Sequence, residues 1–221
     1  MAKAGRLVAV GNLKGGVGKT TLAVSIACAL ADRGRAVVVD ADAQASASAW
    51  GAPGNLPVPV LALPLAADGE RATAAWLGRL VEIKAEADFV LVDLPPNLGA
   101  ATVAALSIAD LLLVPVPPSG LDLRAAERTL TLLRQARKVR GDAKPAALLE
   151  PSRVDRRTAA GREVEAVLHD MNEPVAPAII QRAAHVDAFS AGQWIGAYAP
   201  RTAGHVEIQA LAALVERISR R

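Results

Sequence analysis

Chemistry is first legible at two lysines set five residues apart among glycines. The stretch reads Gly11-Asn12-Leu13-Lys14-Gly15-Gly16-Val17-Gly18-Lys19-Thr20-Thr21. An apolar run, Leu7 to Val10, precedes it and reads as a strand. Thr20 to Asp32 follows and reads as a helix. Strand, Gly-rich turn, Lys-Thr and helix is the arrangement of a phosphate-binding loop. Gly15, Gly16 and Gly18 let the backbone curl until successive N–H groups converge on phosphate oxygens. The helix N-terminus adds its positive dipole end at the same place. Lys19 brings a mobile charge for β- and γ-phosphates, and the Thr20 hydroxyl is placed to ligate Mg²⁺. Lys14 through Thr21, Val17 included, are therefore the candidate nucleotide-binding residues.

Carboxylates come next. The run Ala36-Val-Val-Val39 leads into Asp40-Ala-Asp42-Ala-Gln44, and Phe89-Val-Leu-Val92 ends at Asp93, followed by Leu94-Pro95-Pro96. A carboxylate that closes an apolar strand suits a Mg²⁺ site, directly or through water. The bland alternative is that such residues cap the turn after the strand. A phosphate loop in the same sheet favours the first reading for Asp93. Thr20, Asp40 and Asp93 are the candidate metal residues.

These side chains need a frame. Candidate strands are Arg6–Val10, Ala36–Asp40, Val58–Leu63, Asp88–Asp93, Leu111–Val116, Ala146–Leu149 and Val175–Ile179. Candidate helices are Thr20–Asp32, Arg71–Ala87, Ala100–Ala109, Leu123–Arg140, Thr158–Asp170, Arg182–Ala191 and His205–Arg220. Short apolar strands alternating with helices imply an α/β fold with a mostly parallel sheet covered on both faces. Ligands in such sheets sit beyond the carboxyl ends of the strands, where the loop and the aspartates lie. A chain of 221 residues fits one domain with a substantial core. The Pro- and Ala-rich stretch 51–67 is the least regular part.

The loop departs from the ordinary G-x-x-x-x-G-K-[ST] pattern: position 13 is Leu, and Lys14 stands before the Gly pair. The string Lys14-Gly-Gly-Val-Gly-Lys-Thr20 resembles the deviant Walker A box of the ParA/MinD superfamily of dimerising ATPases. Asp40-x-Asp42-x-Gln44 is similar to that family's second box, and Asp93-x-Pro95-Pro96 to its Walker B region. Val114 to Asp122, Arg153 to Thr158, Ile179 to Gly192 and Tyr198-Ala-Pro200 resemble its later segments, so the likeness covers nearly the whole chain. It looks most like the small ParF-type members, which lack an N-terminal helix-turn-helix; here the loop begins about a dozen residues after Met1.

The resemblance implies a P-loop NTPase that uses ATP and Mg²⁺ and forms an ATP-dependent homodimer. Lys14 would reach the partner's phosphates, and Asp42 would orient the attacking water. It also implies nonspecific DNA binding, a ParB-like or adaptor protein that stimulates hydrolysis, and a cytoplasmic, nucleoid-associated protein that positions a plasmid, a chromosome or a large protein assembly. A trans lysine has a physical reason: phosphoryl transfer needs extra positive charge at the transition state, so hydrolysis becomes conditional on dimerisation.

Charge distribution bears on the DNA expectation. The net charge is +3, but residues 124–162 hold 11 Lys/Arg against 4 Asp/Glu while the flanking parts are slightly acidic. Arg156, Arg157, Arg162 and Arg182 are the candidate DNA contacts, since backbone binding needs only clustered charge. A solvated helix face is the other reading of such a run.

Several classes are disfavoured. No apolar run approaches the ~18 residues of a membrane span. One cysteine, Cys28, precludes a disulfide framework within the chain and argues against an iron protein, whose cluster needs two cysteines per subunit; Cys28 reads as a core thiol. Two alternatives remain. One is a MinD-like membrane-positioning ATPase, whose difference lies in the last helix, here read as core. The other is a small-molecule ATP-dependent ligase of the same fold, which has no need of Lys14.

Overall fold

A computed structural model describes residues 5–65, 69–97 and 99–220. Its centre is a six-stranded sheet of β1 (Arg6–Val10), β2 (Ala36–Asp40), β3 (Val60–Ala62), β4 (Phe89–Asp93), β5 (Leu111–Val116) and β6 (Ala146–Pro151). The strand order is β3-β2-β4-β1-β5-β6, and every pairing is parallel. Each of β1, β2, β4 and β5 is buried along its whole length. That explains why they read as continuous apolar runs rather than alternating ones.

Nine helices cover the sheet among the described residues: α1 (Lys19–Leu30), α2 (Ser46–Gly51), α3 (Glu70–Glu86), α4 (Ala100–Ile108), α5 (Gly120–Arg140), α6 (Ala159–His169), α7 (Ala183–Ser190), α8 (Ile195–Tyr198) and α9 (Ala203–Ile218). The side chains sort by strand parity into two cores. Leu7, Val39, Val92 and Leu112 pack with α3, α4 and α5 through Trp76, Leu80, Leu106 and Leu130. Val8, Val38, Leu91 and Leu113 pack with α1 and α9 through Ile26, Leu30, Ile208 and Leu211. The expected parallel sheet with helices on both faces is what forms. Cys28 is a buried thiol of α1, pushed up to about 12 by burial, as its core reading requires. In α9, Ile208, Leu211 and Val215 are buried, in keeping with its reading as core, whereas Val206 of the same apolar set faces out.

Three expectations need correction. The seventh strand, Val175–Ile179, does not form a ladder. It makes isolated bridges at Leu149–Val175 and Val154–Ile180. Pro151 on β6 and Pro177 opposite it have no N–H to give, which interrupts the ladder between the two bridges while the register is kept. The stretch read as irregular adjoins a real helix, α2, which sequence reasoning passed over; residues 66 and 67 of that stretch lie outside the described ones. Helix α5 starts at Gly120 rather than Leu123, because the Ser119 hydroxyl caps it by accepting the Asp122 N–H at 3.2 Å.

Strand register is what positions the chemistry. Val10 pairs with Asp93, and Asp93 with Asp40, in one row across the sheet. The loop after β1 and both strand-end aspartates therefore leave the sheet at the same edge and level.

Candidate nucleotide site

The loop between β1 and α1 wraps the N-terminus of α1. Gly16 and Gly18 hold φ of 74° and 103°, in the left-handed region that favours glycine. A Cβ on Gly18 would also stand 3.0 Å from the Ser152 hydroxyl, so the loop is pressed against the exit of β6. Gly15 and Gly16 are exposed and face open space. Val17 is 1% exposed, the buried residue between the exposed Gly15 and Gly16 and the buried Lys19.

Lys19 is buried, and its ammonium donates to the Lys14 carbonyl at 3.0 Å. Burial lowers its pKa, with Asp93 and Asp42 opposing that shift. A phosphate in the loop would offer this ammonium stronger acceptors than one carbonyl. Thr20 donates its hydroxyl to Asp93 Oδ2 at 2.6 Å. The second oxygen of Asp93, Oδ1, is buried without a partner, and burial pushes the carboxyl up to about 7. A buried orphan oxygen beside a threonine hydroxyl, next to a phosphate loop, fits Mg²⁺. That ion takes one or two protein oxygens and completes its shell with phosphate and water.

Asp40 does not share that arrangement. Its Oδ2 accepts both the N–H and the hydroxyl of Ser48 at 2.7 Å, and its Oδ1 accepts the Asp42 N–H at 3.2 Å. These three bonds shape the loop between β2 and α2 and leave the Asp40 carboxylate less free than that of Asp93 to meet a cation. Asp42 is half-buried. It accepts the Gln44 N–H at 3.0 Å through Oδ1 and lines the same cleft as Lys19 and Thr20.

That cleft has a volume of about 760 Å³. Its floor is the phosphate loop with Thr20 and Thr21. One wall carries Asp42, Gln44 and Trp50, and the other is built from Ser152, Arg153 and the 179–189 segment. Arg153, at φ 51°, donates its guanidinium to the Gly16 carbonyl at 2.8 Å. Trp50 donates its indole N–H to the Gln193 carbonyl and packs edge-on against Phe189, tying the two walls together. Neither Trp50 nor His185 is among the candidate site residues of the sequence; the fold brings both to the cleft from chain segments far apart, which no local spacing reveals.

The candidate DNA arginines divide. Arg156, Arg157 and Arg162 are exposed together where β6 passes into α6. Arg182 is half-buried. It pairs with Glu207 at 2.5 Å and lines the cleft beside His185. The burial of part of its side chain and its carboxylate partner make it a wall of the nucleotide cleft.

A phosphate loop at the switch point of a parallel sheet, with a Thr–Asp pair beside it, defines a P-loop nucleotide-binding protein. Residues 8–195 match the CobQ/CobB/MinD/ParA nucleotide binding domain, and the chain belongs to that family. It is 34% identical over 178 residues to the maintenance of carboxysome distribution protein A of Halothiobacillus neapolitanus, covering 80% of each chain. It is also 34% identical over 228 residues to the chromosome-partitioning ATPase Soj of Thermus thermophilus, covering 90% of each. Among solved structures, the septum site-determining protein MinD of Pyrococcus horikoshii in complex with Mg-ADP superposes with a TM-score of 0.77 at 21% identity, over 97% of both chains. At that identity the likeness speaks for the fold.

Proposed function

We propose that the chain is a single-domain ATPase of the ParA type. It dimerises with ATP and Mg²⁺, hydrolyses ATP slowly, binds DNA without sequence preference and positions a cargo too large to diffuse freely. The observation that carries this reading is the pair of lysines on one loop: Lys19 buried and lining the cleft, and Lys14 half-exposed with its ammonium against α5. A binding loop needs only the first. The names of two relatives, a carboxysome distribution protein and a chromosome-partitioning ATPase, support a positioning role. The cargo is then a nucleic acid or a protein assembly, linked through a ParB-like or adaptor protein that stimulates hydrolysis.

Within this reading Gly15 to Thr21 cradle the phosphates, Lys19 binds the β- and γ-phosphates, and Thr20 with Asp93 would hold Mg²⁺, which neutralises charge on the phosphates. Asp42 holds the attacking water in line and takes up its proton density. Lys14 of one copy completes the charge on the γ-phosphate of the other.

Size exclusion with a slowly hydrolysed ATP analogue and Mg²⁺ tests the proposal. The wild-type protein shifts from monomer to dimer, and Lys14→Ala does not and fails to hydrolyse. Asp42→Ala binds ATP and forms the dimer but turns over about a hundredfold more slowly, the scale lost with one transition-state group. A wild-type protein that stays monomeric with the analogue, or a Lys14→Ala protein that hydrolyses normally, refutes the dimer cycle and favours a small-molecule enzyme of the same fold. Liposome binding in place of DNA binding favours the membrane-positioning alternative.

A further inference from the structure

We propose that Asp122 holds Lys14 in cis and so sets the threshold at which ATP drives dimerisation; this rests on the trans role of Lys14 proposed above. The Lys14 ammonium is 2.6 Å from Asp122 Oδ1. The carboxylate side is 7% exposed and the lysine 39%, so the pair lies at the boundary of the protein with its acid end inside. Asp122 stands in the first turn of α5, where the helix dipole favours an anion. Its Oδ2 accepts the Ser119 hydroxyl, which fixes the carboxylate's orientation.

The loop around Lys14 is tied to the same helix. The Leu13 N–H donates to the Thr129 hydroxyl at 3.3 Å, and the Lys14 N–H to Asn12 Oδ1 at 3.1 Å. The first of these holds the loop's entry against α5, the second turns the loop at Lys14, and the lysine's charge is spent on its own chain.

To serve a partner's phosphates, Lys14 must leave Asp122. Its departure strands a nearly buried carboxylate without its cation, and an unpaired buried charge is costly. The multiply charged triphosphate of the second copy has to outcompete one carboxylate. Asp122 therefore disfavours the dimer in the absence of ATP and raises the concentration of protein needed in its presence. It is a positioning residue: it acts on the phosphate only through Lys14.

The test is a titration of dimer formation with a slowly hydrolysed ATP analogue, read by analytical ultracentrifugation, on wild type, Asp122→Asn, Lys14→Ala and the double variant. Asp122→Asn keeps the shape and the bond to Ser119. It is expected to lower the protein concentration for half-dimerisation about tenfold, the scale of one charge-assisted contact discounted for partial exposure. In the Lys14→Ala background the same substitution changes nothing. If the amide disturbs α5, Asp122→Ser, which a first helical turn accepts, repeats the measurement. An Asp122→Asn protein that needs as much protein as wild type or more, while Lys14→Ala fails to dimerise, overturns the proposal and leaves the trans lysine intact. A Lys14→Ala protein that dimerises normally overturns both, by a different result.

Discussion

Asp93, buried behind Thr20 beside the cleft, carries the tightest constraint at the site. It is 1% exposed, one oxygen is engaged by Thr20 and the other has no partner. Burial pushes its carboxyl up to about 7, the Thr20 hydroxyl pulls the other way, and Asp40 adds to the rise. Only the ionised form serves a cation, so a metal must displace the proton below that pKa. Nucleotide-dependent Mg²⁺ affinity should therefore fall as pH drops below about 7, by about tenfold per unit at the limit of one proton displaced. ATP titrates in the same range, so the informative comparison is with Asp93→Asn. Calorimetry at pH 6, 7 and 8 should show weaker Mg²⁺ binding in that variant, with the protein's share of the slope gone. Equal slopes in the two proteins would remove Asp93 from the site. Leu13 and Lys14 show how far residue types reach in sequence: the deviant loop marks the second lysine, but nothing in the spacing reveals that Asp122, more than a hundred residues later, receives it.

Among the elements, β6 delivers its exit residues to the phosphate loop. Ser152 and Arg153 at its exit press on that loop, and Glu150 lies fully buried just before them. Glu150 accepts the Ile179 N–H at 3.2 Å through Oε1, while its Oε2 has no partner. Burial pushes its carboxyl up to about 8, and Glu207 adds to the rise against the bonds from Ile179 and Ser152. The folded protein thus binds a proton that the unfolded chain releases near pH 4.5, and stability falls as pH rises from there through about 8. Glu150→Gln removes that dependence. Its advantage over wild type in urea unfolding should grow with pH and reach on the order of a few kcal/mol by pH 8; a gap that stays constant with pH would mean that Glu150 is paired in its ionised form. At this scale the sequence was legible where burial is uniform. Strands β1, β2, β4 and β5 are covered on both faces, so their composition announces them. It was not legible at 174–180, where prolines interrupt pairing inside an apolar run, nor at α2, whose six residues are held by Asp40 and by Trp50 rather than by an amphipathic period.

At the scale of the whole molecule, the basic residues over 124–162 fall into three groups: Arg124, Arg128, Arg134 and Lys138 stand exposed on α5, and the others sit at the two ends of the sheet. Arg137 pairs with Glu173, Arg140 donates to the Leu106 and Ala109 carbonyls, and Lys144 pairs with Asp110. These stitch the sheet's lower edge and are unavailable to a nucleic acid. Arg156, Arg157 and Arg162 lie at the opposite edge, beside the phosphate loop that Arg153 touches. Two copies meeting across their nucleotide clefts would bring both clusters to one assembly. The number of phosphates neutralised would then about double, and since the logarithm of affinity falls with slope about −0.9 per phosphate, the dimer should bind more tightly and respond more steeply to salt. The three arginines should not contribute equally. Arg157 is chelated by Asp155, whose carboxyl the arginine holds at about 2, and Arg156 is 2.9 Å from Glu165. Each must give up a carboxylate to meet a phosphate. Arg162 donates to the Arg157 carbonyl at 2.9 Å, a neutral acceptor that competes weakly with phosphate. Arg162→Ala should therefore weaken binding more than Arg157→Ala and lower the salt slope by about one per protomer. The measurement is a salt titration of binding to two unrelated duplexes, with the ATP analogue and with ADP. Equal affinity in the two nucleotide states would refute gating by the dimer, and a strong preference for one duplex would refute backbone recognition. Unchanged binding by a chain lacking all three arginines would return them to the role of a solvated face.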